Sequence, residues 1–518
     1  LSYDAIVIGA GTNGLVAAAV LARAGKHVLL LDENDEVGGK LRSIEFAPGF
    51  RATPFAQDPG WLPPSVARAV GIKAPAQASA PAPLTVAIPE GEFLPLFAQP
   101  TRAAEAIRRY SAKDASAWGE FTARLARQAG FLERVYQQSP IALDPRSPRE
   151  ALALAGLALA FRRLGRADMT ALLRTLPMSV EDLLDDEFEC EPLKAAIGSG
   201  GVQYLQQGPR SGGTAFALLH HLVGAPAGAM RRTGQPNGIV VALEDAARRQ
   251  GVTIRTSLKV ERILVKDEAV TGVVLDDDEE IGAPVVASSA SPSQTLLGLI
   301  DPVWLDPEFL LAIRNIKYRG CTAFVLYALD ALPESNGLSP ETLTGIITLT
   351  PTTQALERAY DAAKYGRVSE RPHVELSIPN LDGTADAPEG KHVLVARVQY
   401  APYRLHQAQW DDSRRDALGA AATTAIASAL PGFAERVLHR AVLAPPDLET
   451  RFGLSEGSAY QGELTLDQVL FMRPIPGWSR YRMPIDGLYL FGSGTHPGGG
   501  IVGASGLLAA REILRAER

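Results

Sequence analysis

Gly9, Gly11 and Gly14 stand at G-x-G-x-x-G spacing directly after the wholly apolar run Ala5 to Ile8. In that setting each glycine has its own task. Gly9 permits a sharp turn, Gly11 lets a pyrophosphate approach the backbone, and Gly14 lets the next helix lie close against the strand. The phosphates then rest on the amino terminus of that helix and its positive dipole end. Thr12 and Asn13 belong to the same turn. A second apolar run, Val28 to Leu31, delivers Asp32, with Glu33 beside it. The acid falls about twenty residues beyond the turn, where a carboxylate accepts the hydroxyls of an adenosine ribose. A glycine-rich turn alone reads equally well as a plain structural turn. The flanking strand, helix and acid point instead to dinucleotide binding.

The fingerprint suits FAD and NAD alike. Gly38 and Gly39, just past the second apolar run, suit a second close backbone approach to an extended cofactor and match the doublet of FAD-binding oxidoreductases. A second glycine-rich stretch, FGSGTHPGGG from Phe491 to Gly500, follows a short apolar run and precedes a helical one, again placing glycines at a helix amino terminus. His496 lies inside it, as an acid or base or as a group that orders the loop. Arg473 and Tyr460 are candidates to border the substrate or the cofactor, against structural hydrogen-bonding roles. His220 and His221 sit on an apolar helical face and read as core histidines.

The elements that must position these residues follow from periodicity. Leu15 to Ala24 is the first helix, ended by Gly25. Residues 47–64 form a loop, 74–83 an alanine- and proline-rich connector, and Leu84 to Phe97 a hairpin turning at Pro89 to Glu92. From Ala103 to about Leu222 the spacing is helical, punctuated by Pro140, Pro145, Pro148 and Pro177. Within it, Ala151 to Phe161 is a long apolar run, read either as a buried helix or as one lying at a membrane surface. Pro236-Asn237-Gly238 reads as a turn into a helix over Ile239 to Gly251, with a strand at Val252 to Arg255. Strands then follow from Val260, with the acidic run Asp276 to Glu280 as a solvated hairpin tip, since it lacks the glycine and spacing of a calcium loop. Ala323 to Leu329 and Val393 to Tyr400 are clear strands, and Gly487 to Leu490 followed by a helix over Ile501 to Arg515 closes the chain. The expected division is a cofactor domain from 1–73, 225–300 and 460–518, and a second domain from 74–224 and 301–459.

Composition narrows the function classes. A chain of 518 residues has room for more than one core, and 46% hydrophobic with 21% charged residues is ordinary for a globular protein. The net charge of -7 speaks against a nucleic-acid partner. Cys190 and Cys321 have no metal-ligand or C-x-x-C spacing, so no metal site is expected. No apolar stretch reaches the ~20 residues of a membrane span. The expected location is the cytoplasm, with peripheral contact to a membrane as its variant.

The amino-terminal IVIGAGTNGLVAAAVLARAGKHVLLLDENDEVGGK and the carboxy-terminal LYLFGSGTHPGGGIVGASG resemble the phytoene-desaturase-like flavoproteins, which include carotenoid desaturases, carotenoid isomerases and retinol saturase. GELTLDQVLFMRPIPGWSRYRMPIDGLYL and GTAFALLHHL resemble the branch of pyridine nucleotide-disulphide oxidoreductase domain-containing protein 2 and its bacterial relatives. The likeness spans nearly the whole chain. It implies an α/β fold of the p-hydroxybenzoate-hydroxylase and amine-oxidase type: a Rossmann-type FAD-binding domain assembled from discontinuous segments, with an inserted α+β substrate domain. It further implies a tightly held FAD and oxidation at carbon-carbon bonds of an apolar substrate, terpenoid, polyene or lipid-like.

Carried over by residue, the likeness puts Gly9, Gly11 and Gly14 on the pyrophosphate and Asp32 on the ribose. Lys40 extends the Gly38-Gly39 doublet, and Val260 meets the adenine through its backbone. Gly494, Thr495, Gly499, Gly500 and Ile501 run beneath the isoalloxazine, with the next helix favouring the anionic reduced ring. Asp32 stands where the family more usually has glutamate. A flavin takes the hydride itself, so the protein need only position the substrate and exclude water. No second nucleotide fingerprint is present, since Gly198 to Gly201 follows a helical stretch and reads as a turn. Electrons are therefore expected to leave to oxygen, a quinone or another carrier. A flavin-dependent isomerase and a non-catalytic FAD-containing interaction protein share the same motifs.

Overall fold

The computed structural model describes residues 3–73, 81–140, 147–232, 234–334 and 337–517. The connector expected at 74–83 lies outside them up to residue 80, as does Pro145.

Strands β1 (Ala5–Ile8) and β2 (Val28–Leu31) are buried at every position, as apolar runs with no polar face require. Together with β3 (Thr253–Arg255), β4 (Val286–Ser288) and β5 (Leu488–Leu490) they form a five-stranded sheet in the order β5-β4-β1-β2-β3. All four pairings are parallel, and Ile6 lies between Leu29 and Val286. Helix α1 (Thr12–Arg23) crosses over from β1 to β2 and starts directly at Gly11, a turn earlier than its apolar spacing predicts.

The helical stretch packs on a second sheet, where the Glu191–Gly201 helix meets the strand Leu84–Ile88. Helix α2 (Ala112–Tyr136) is capped by the Ser111 hydroxyl, which accepts from Asp114 N, and it buries Trp118, Phe121, Leu125 and Leu132 at helical spacing. Helix α3 (Pro148–Arg162) is capped in the same way by Ser147, yet none of its described side chains is buried. Helix α4 (Gly165–Thr175) follows and buries Leu172 and Thr175. The buried-helix reading of Ala151 to Phe161 therefore does not hold, because Leu152 and Leu159 are 74% and 50% exposed. Among its rings and leucines, Phe161 is the one seen to stack inward, on Phe131 of α2 with ring centroids 5.6 Å apart.

A seven-stranded sheet makes up the second layer. Its order is Val437–Leu443, Thr322–Leu329, His392–Gln399, His373–Ser377, Ile346–Thr348, Leu84–Ile88 and Glu92–Leu96. It is antiparallel except for the parallel pair Ile346–Thr348 and Leu84–Ile88. Alternate residues point to opposite faces. Phe324, Leu326, Val393 and Val395 join the core that contains Val7 and Leu15, whereas Val325, Tyr327, Leu394 and Ala396 pack with Leu418, Ala422 and Ile426 of the Asp412–Ala429 helix.

Packing overrides local pattern in two places. Gly198 to Gly201 is the end of the Glu191–Gly201 helix and not a turn. Its small residues allow a close crossing, since a Cβ on Gly201 would lie 2.8 Å from Thr214 O and 2.9 Å from Val180 Cβ. Pro236-Asn237-Gly238 is the first turn of the Pro236–Arg249 helix, where proline needs no amide partner and its φ is already helical. The acidic run does sit at a hairpin tip, between the antiparallel strands Ala269–Leu275 and Glu280–Gly282. The last helix, α5 (Ala504–Ala516), starts beyond Ile501 and presses on α1, where a Cβ on Gly506 would lie 2.0 Å from Asn13 O. Among the described residues no helix is long and apolar enough to cross a membrane.

Candidate functional site: the dinucleotide cavity

A cavity of about 760 Å³ opens above the carboxyl ends of β1 and β2. Its near wall is Gly9, Gly11, Thr12, Asn13, Asp32, Glu33, Gly38 and Gly39, and Val260 stands among Leu258 to Glu261 on its side. At its far end are Lys40, Asp58, Phe452, Gly500, Ile501 and Val502.

The near wall is built from backbone. Gly9 has φ +94°, and a Cβ there would lie 2.3 Å from Ser289 Oγ, so the turn admits only glycine. Gly14 is the packing glycine, absent from the wall, and its Cβ would lie 1.8 Å from Gly9 O. A Cβ on Gly11 would meet nothing closer than Gly39 Cα at 3.9 Å, so its open side faces the cavity. Gly38 N donates to Ala10 O at 2.9 Å, which binds the doublet to the fingerprint turn. Asp32 reaches back to the turn: its Oδ2 accepts from Ala10 N at 2.6 Å and its Oδ1 from the Asn34 amides at 2.9 Å. A carboxylate has lone pairs beyond these, so Asp32 and the exposed Glu33 both remain acceptors on the wall. These features fit an extended dinucleotide carrying a pyrophosphate.

The far end is built from charge. Asp58 is 4% exposed, accepts from Tyr460 Oη at 2.8 Å, and pairs with Lys40 at 3.3 Å and Arg232 at 3.5 Å. Burial pulls the Asp58 carboxyl up, but Lys40 and Arg232 outweigh it and hold the group far below the usual range. Lys40 Nζ lies over the rings of Tyr460, Phe55 and Tyr204 at 4.5, 5.1 and 5.8 Å. Burial lowers its pKa against the opposing pull of Asp58. Behind Tyr204 the buried Glu375 pairs with Arg231 at 3.0 Å and with Arg397. Four buried cations thus gather around two buried carboxylates, and of the four only Lys40 reaches the cavity wall.

The second glycine segment does something different. Gly500 and Ile501 reach the wall, whereas Gly494, Thr495, His496 and Gly499 do not. Thr495 Oγ1 bonds Gly492 O at 3.1 Å and Ser505 Oγ at 2.7 Å, and Gly494 N donates to Gln461 Oε1 at 3.2 Å. His496 turns away from the cavity, with Nε2 donating to Gln138 O at 3.1 Å, and burial drops its pKa to about 4. That placement suits ordering the loop. Arg473 is off the wall too, its guanidinium spent on the carbonyls of Ser493, Glu463, Gln468, Tyr460 and Gly462, while Tyr460 touches the cavity through Asp58. His220 bonds Gly499 O at 2.7 Å and Tyr136 Oη at 2.9 Å, a satisfied core histidine that burial keeps neutral. Sequence reading missed Asp58, Arg232 and Ser289. Only Asp58 carried a local signal, an acid inside the proline- and aromatic-rich FAQDPGW.

Residues 7–57 match the family described as NAD(P)-binding Rossmann-like domain. Over 544 residues the chain is 34% identical to pyridine nucleotide-disulfide oxidoreductase domain-containing protein 2 of Rattus norvegicus, covering 99% of this chain and 93% of that one. It is 26% identical to hydroxyneurosporene desaturase of Rhodobacter capsulatus, over 99% of this chain and 97% of the desaturase. In fold it is similar to an oxidoreductase from Methanosarcina mazei, with a TM-score of 0.57 at 16% identity and 99% of each chain covered. The chain belongs to the family of pyridine nucleotide-disulfide oxidoreductase domain-containing protein 2, FAD-dependent oxidoreductases of the phytoene-desaturase-like group.

Proposed function

We propose that the protein is a dehydrogenase that takes two hydrogens from a carbon-carbon bond of an apolar substrate, terpenoid, polyene or lipid-like. The observation that carries this reading is the likeness, along nearly all of both chains, to a protein named for desaturating hydroxyneurosporene. FAD, when bound, supplies the hydride acceptor at N5. The glycine turn, the doublet and Asp32 hold the dinucleotide in register. Phe55, Phe452, Tyr204 and Tyr460 keep water from the far end, where Lys40 places a positive charge on the wall. The electrons go on to oxygen, a quinone or another carrier.

Anaerobic mixing of the holoprotein with a panel of such compounds tests the reading. The right substrate bleaches the oxidised flavin band, and oxygen or a quinone restores it. Product without bleaching and without consumption of an acceptor would overturn dehydrogenation in favour of isomerisation. Silence across the panel, with no ligand-induced change in the flavin spectrum, supports the non-catalytic protein.

A further inference from the structure

Helix α3 turns its apolar residues outward. Ala151, Leu152, Ala155, Ala158 and Leu159 are all exposed, and Leu173 of α4 adds to them at 59% exposure. At the junction of the two helices stand Arg162, Arg163 and Arg166, exposed, their side chains without a hydrogen bond or ion pair among the described residues. The acids of the same helices are already engaged, Glu150 with Arg480 and Asp168 with Arg127. The patch is therefore apolar with a one-signed basic rim, on a chain whose net charge is -7.

We propose that α3 and α4 dock on an anionic lipid surface, with Leu152, Leu159 and Leu173 at the acyl boundary and the three arginines at the phosphates. A 15-residue helix is about 22 Å long, short of the ~30 Å hydrocarbon core, so it lies in the plane of the interface. Charge complementarity selects this occupant over a second copy. A two-fold contact through α3 would bring each arginine cluster against its own image, with no free carboxylate of α3 or α4 among the described residues to answer it. An anionic bilayer offers the missing counter-charge, and each basic residue near such a surface strengthens binding about fivefold. The start of α3 is also joined to the cavity's carboxy-terminal segment: Arg480 bonds Glu150 and Pro140 O, and His496 bonds Gln138 O at the end of α2. Lipid contact at α3 thus sits next to the segment whose Gly500 and Ile501 reach the cavity wall.

The test is co-sedimentation of the FAD-loaded protein with phosphatidylcholine vesicles made with and without phosphatidylserine. Binding is expected only with phosphatidylserine and should weaken as salt is raised. Leu152→Glu/Leu159→Glu and Arg162→Glu/Arg163→Glu should each weaken it at least about tenfold at unchanged flavin absorbance and melting temperature, since these side chains are exposed. Arg162→Lys/Arg163→Lys should retain it. No sedimentation of the unaltered protein with phosphatidylserine vesicles, or equal binding by both charge-altered variants, would overturn the proposal. So would a dimer seen by light scattering that Leu152→Glu/Leu159→Glu dissolves while vesicles bind nothing, which would assign the face to a second copy.

Discussion

The two glycine-rich segments look alike in sequence and part company at one position, Gly11, the glycine whose open side faces the cavity. From Gly9 to Gly14, Gly9 and Gly14 make the turn and the close helix packing possible so that Gly11 can face open cavity, room for something that is not protein. From Gly492 to Gly500 the missing side chains leave room for the protein itself. A Cβ on Gly499 would lie 1.9 Å from Tyr460 Cδ1, on Gly500 2.4 Å from Arg232 Nη1, and on Gly494 2.6 Å from Pro292 Cδ. The first segment binds with its backbone, so its pattern reveals its job. The second is shaped by side chains brought from far along the chain, and its own polar side chains, Thr495 and His496, are turned inward to hold it.

Substitutions break this contrast in graded ways. Gly14→Val should give the largest effect, loss of the folded protein in circular dichroism, because the new side chain meets the rigid Gly9 backbone. Gly11→Val should leave the fold and remove the flavin, read as a colourless protein with native circular dichroism. Retained yellow colour in Gly11→Val would end the distinction between the two glycines. Next comes Arg473→Gln, which strands several buried carbonyls and should cost about 4 kcal/mol in denaturant unfolding. A loss below ~1 kcal/mol would show that the second segment does not depend on that clasp.

Glu463 sharpens the comparison through pH. It is buried beside Arg473, accepts from Gln206 N at 2.7 Å, and burial pushes its pKa from the ordinary 4.5 up to about 7. Between those values the folded protein holds more protons than the unfolded chain, so this group's contribution is full below pH 4.5 and is lost as pH rises to 7. Glu463→Gln should flatten that slope and raise stability at pH 8 by at most about 3 kcal/mol. The readout is melting temperature at pH 5 and pH 8, and an unchanged slope would refute it. The smallest effect is expected at His496. His496→Ala should cost about 1 kcal/mol of stability and change the rate of flavin bleaching less than about threefold in molecules that keep FAD. A slowing of ~10²-fold at full FAD content would restore a proton-transfer role.

What could be read from sequence was what neighbouring residues decide. The unit from β1 to Asp32 is local, and its turn, helix and acid follow from spacing. Lys40 belongs to the doublet by position, but its cage of Phe55, Tyr204 and Tyr460 is assembled from loops that no spacing connects. Asp58 matters because Lys40 and Arg232 meet on it, and they lie far apart in the chain. Gly198 to Gly201 and Pro236 to Gly238 look like turns locally and are helical because neighbours press on the one and proline suits the first turn of the other. The outward face of α3 was the hardest to read, since an apolar run has the same periodicity whether protein or something else covers it.

The order of strands in the parallel sheet sets a timetable for synthesis. β4 pairs with β1 on one side and with β5 on the other, and the chain between Ser288 and Leu488 must be made before the second pairing can form. At the ~5–20 residues per second of translation, that interval is roughly 10–40 s. Throughout it the nascent chain presents an open, apolar parallel edge, Val286 to Ser288, of the kind that recruits stray strands. The seven-stranded sheet, whose last strand ends at Leu443, is completed before that edge is closed. The dinucleotide cavity is therefore the last part of the molecule to be finished, and FAD can meet its complete site only after the carboxy-terminal helix has docked on α1.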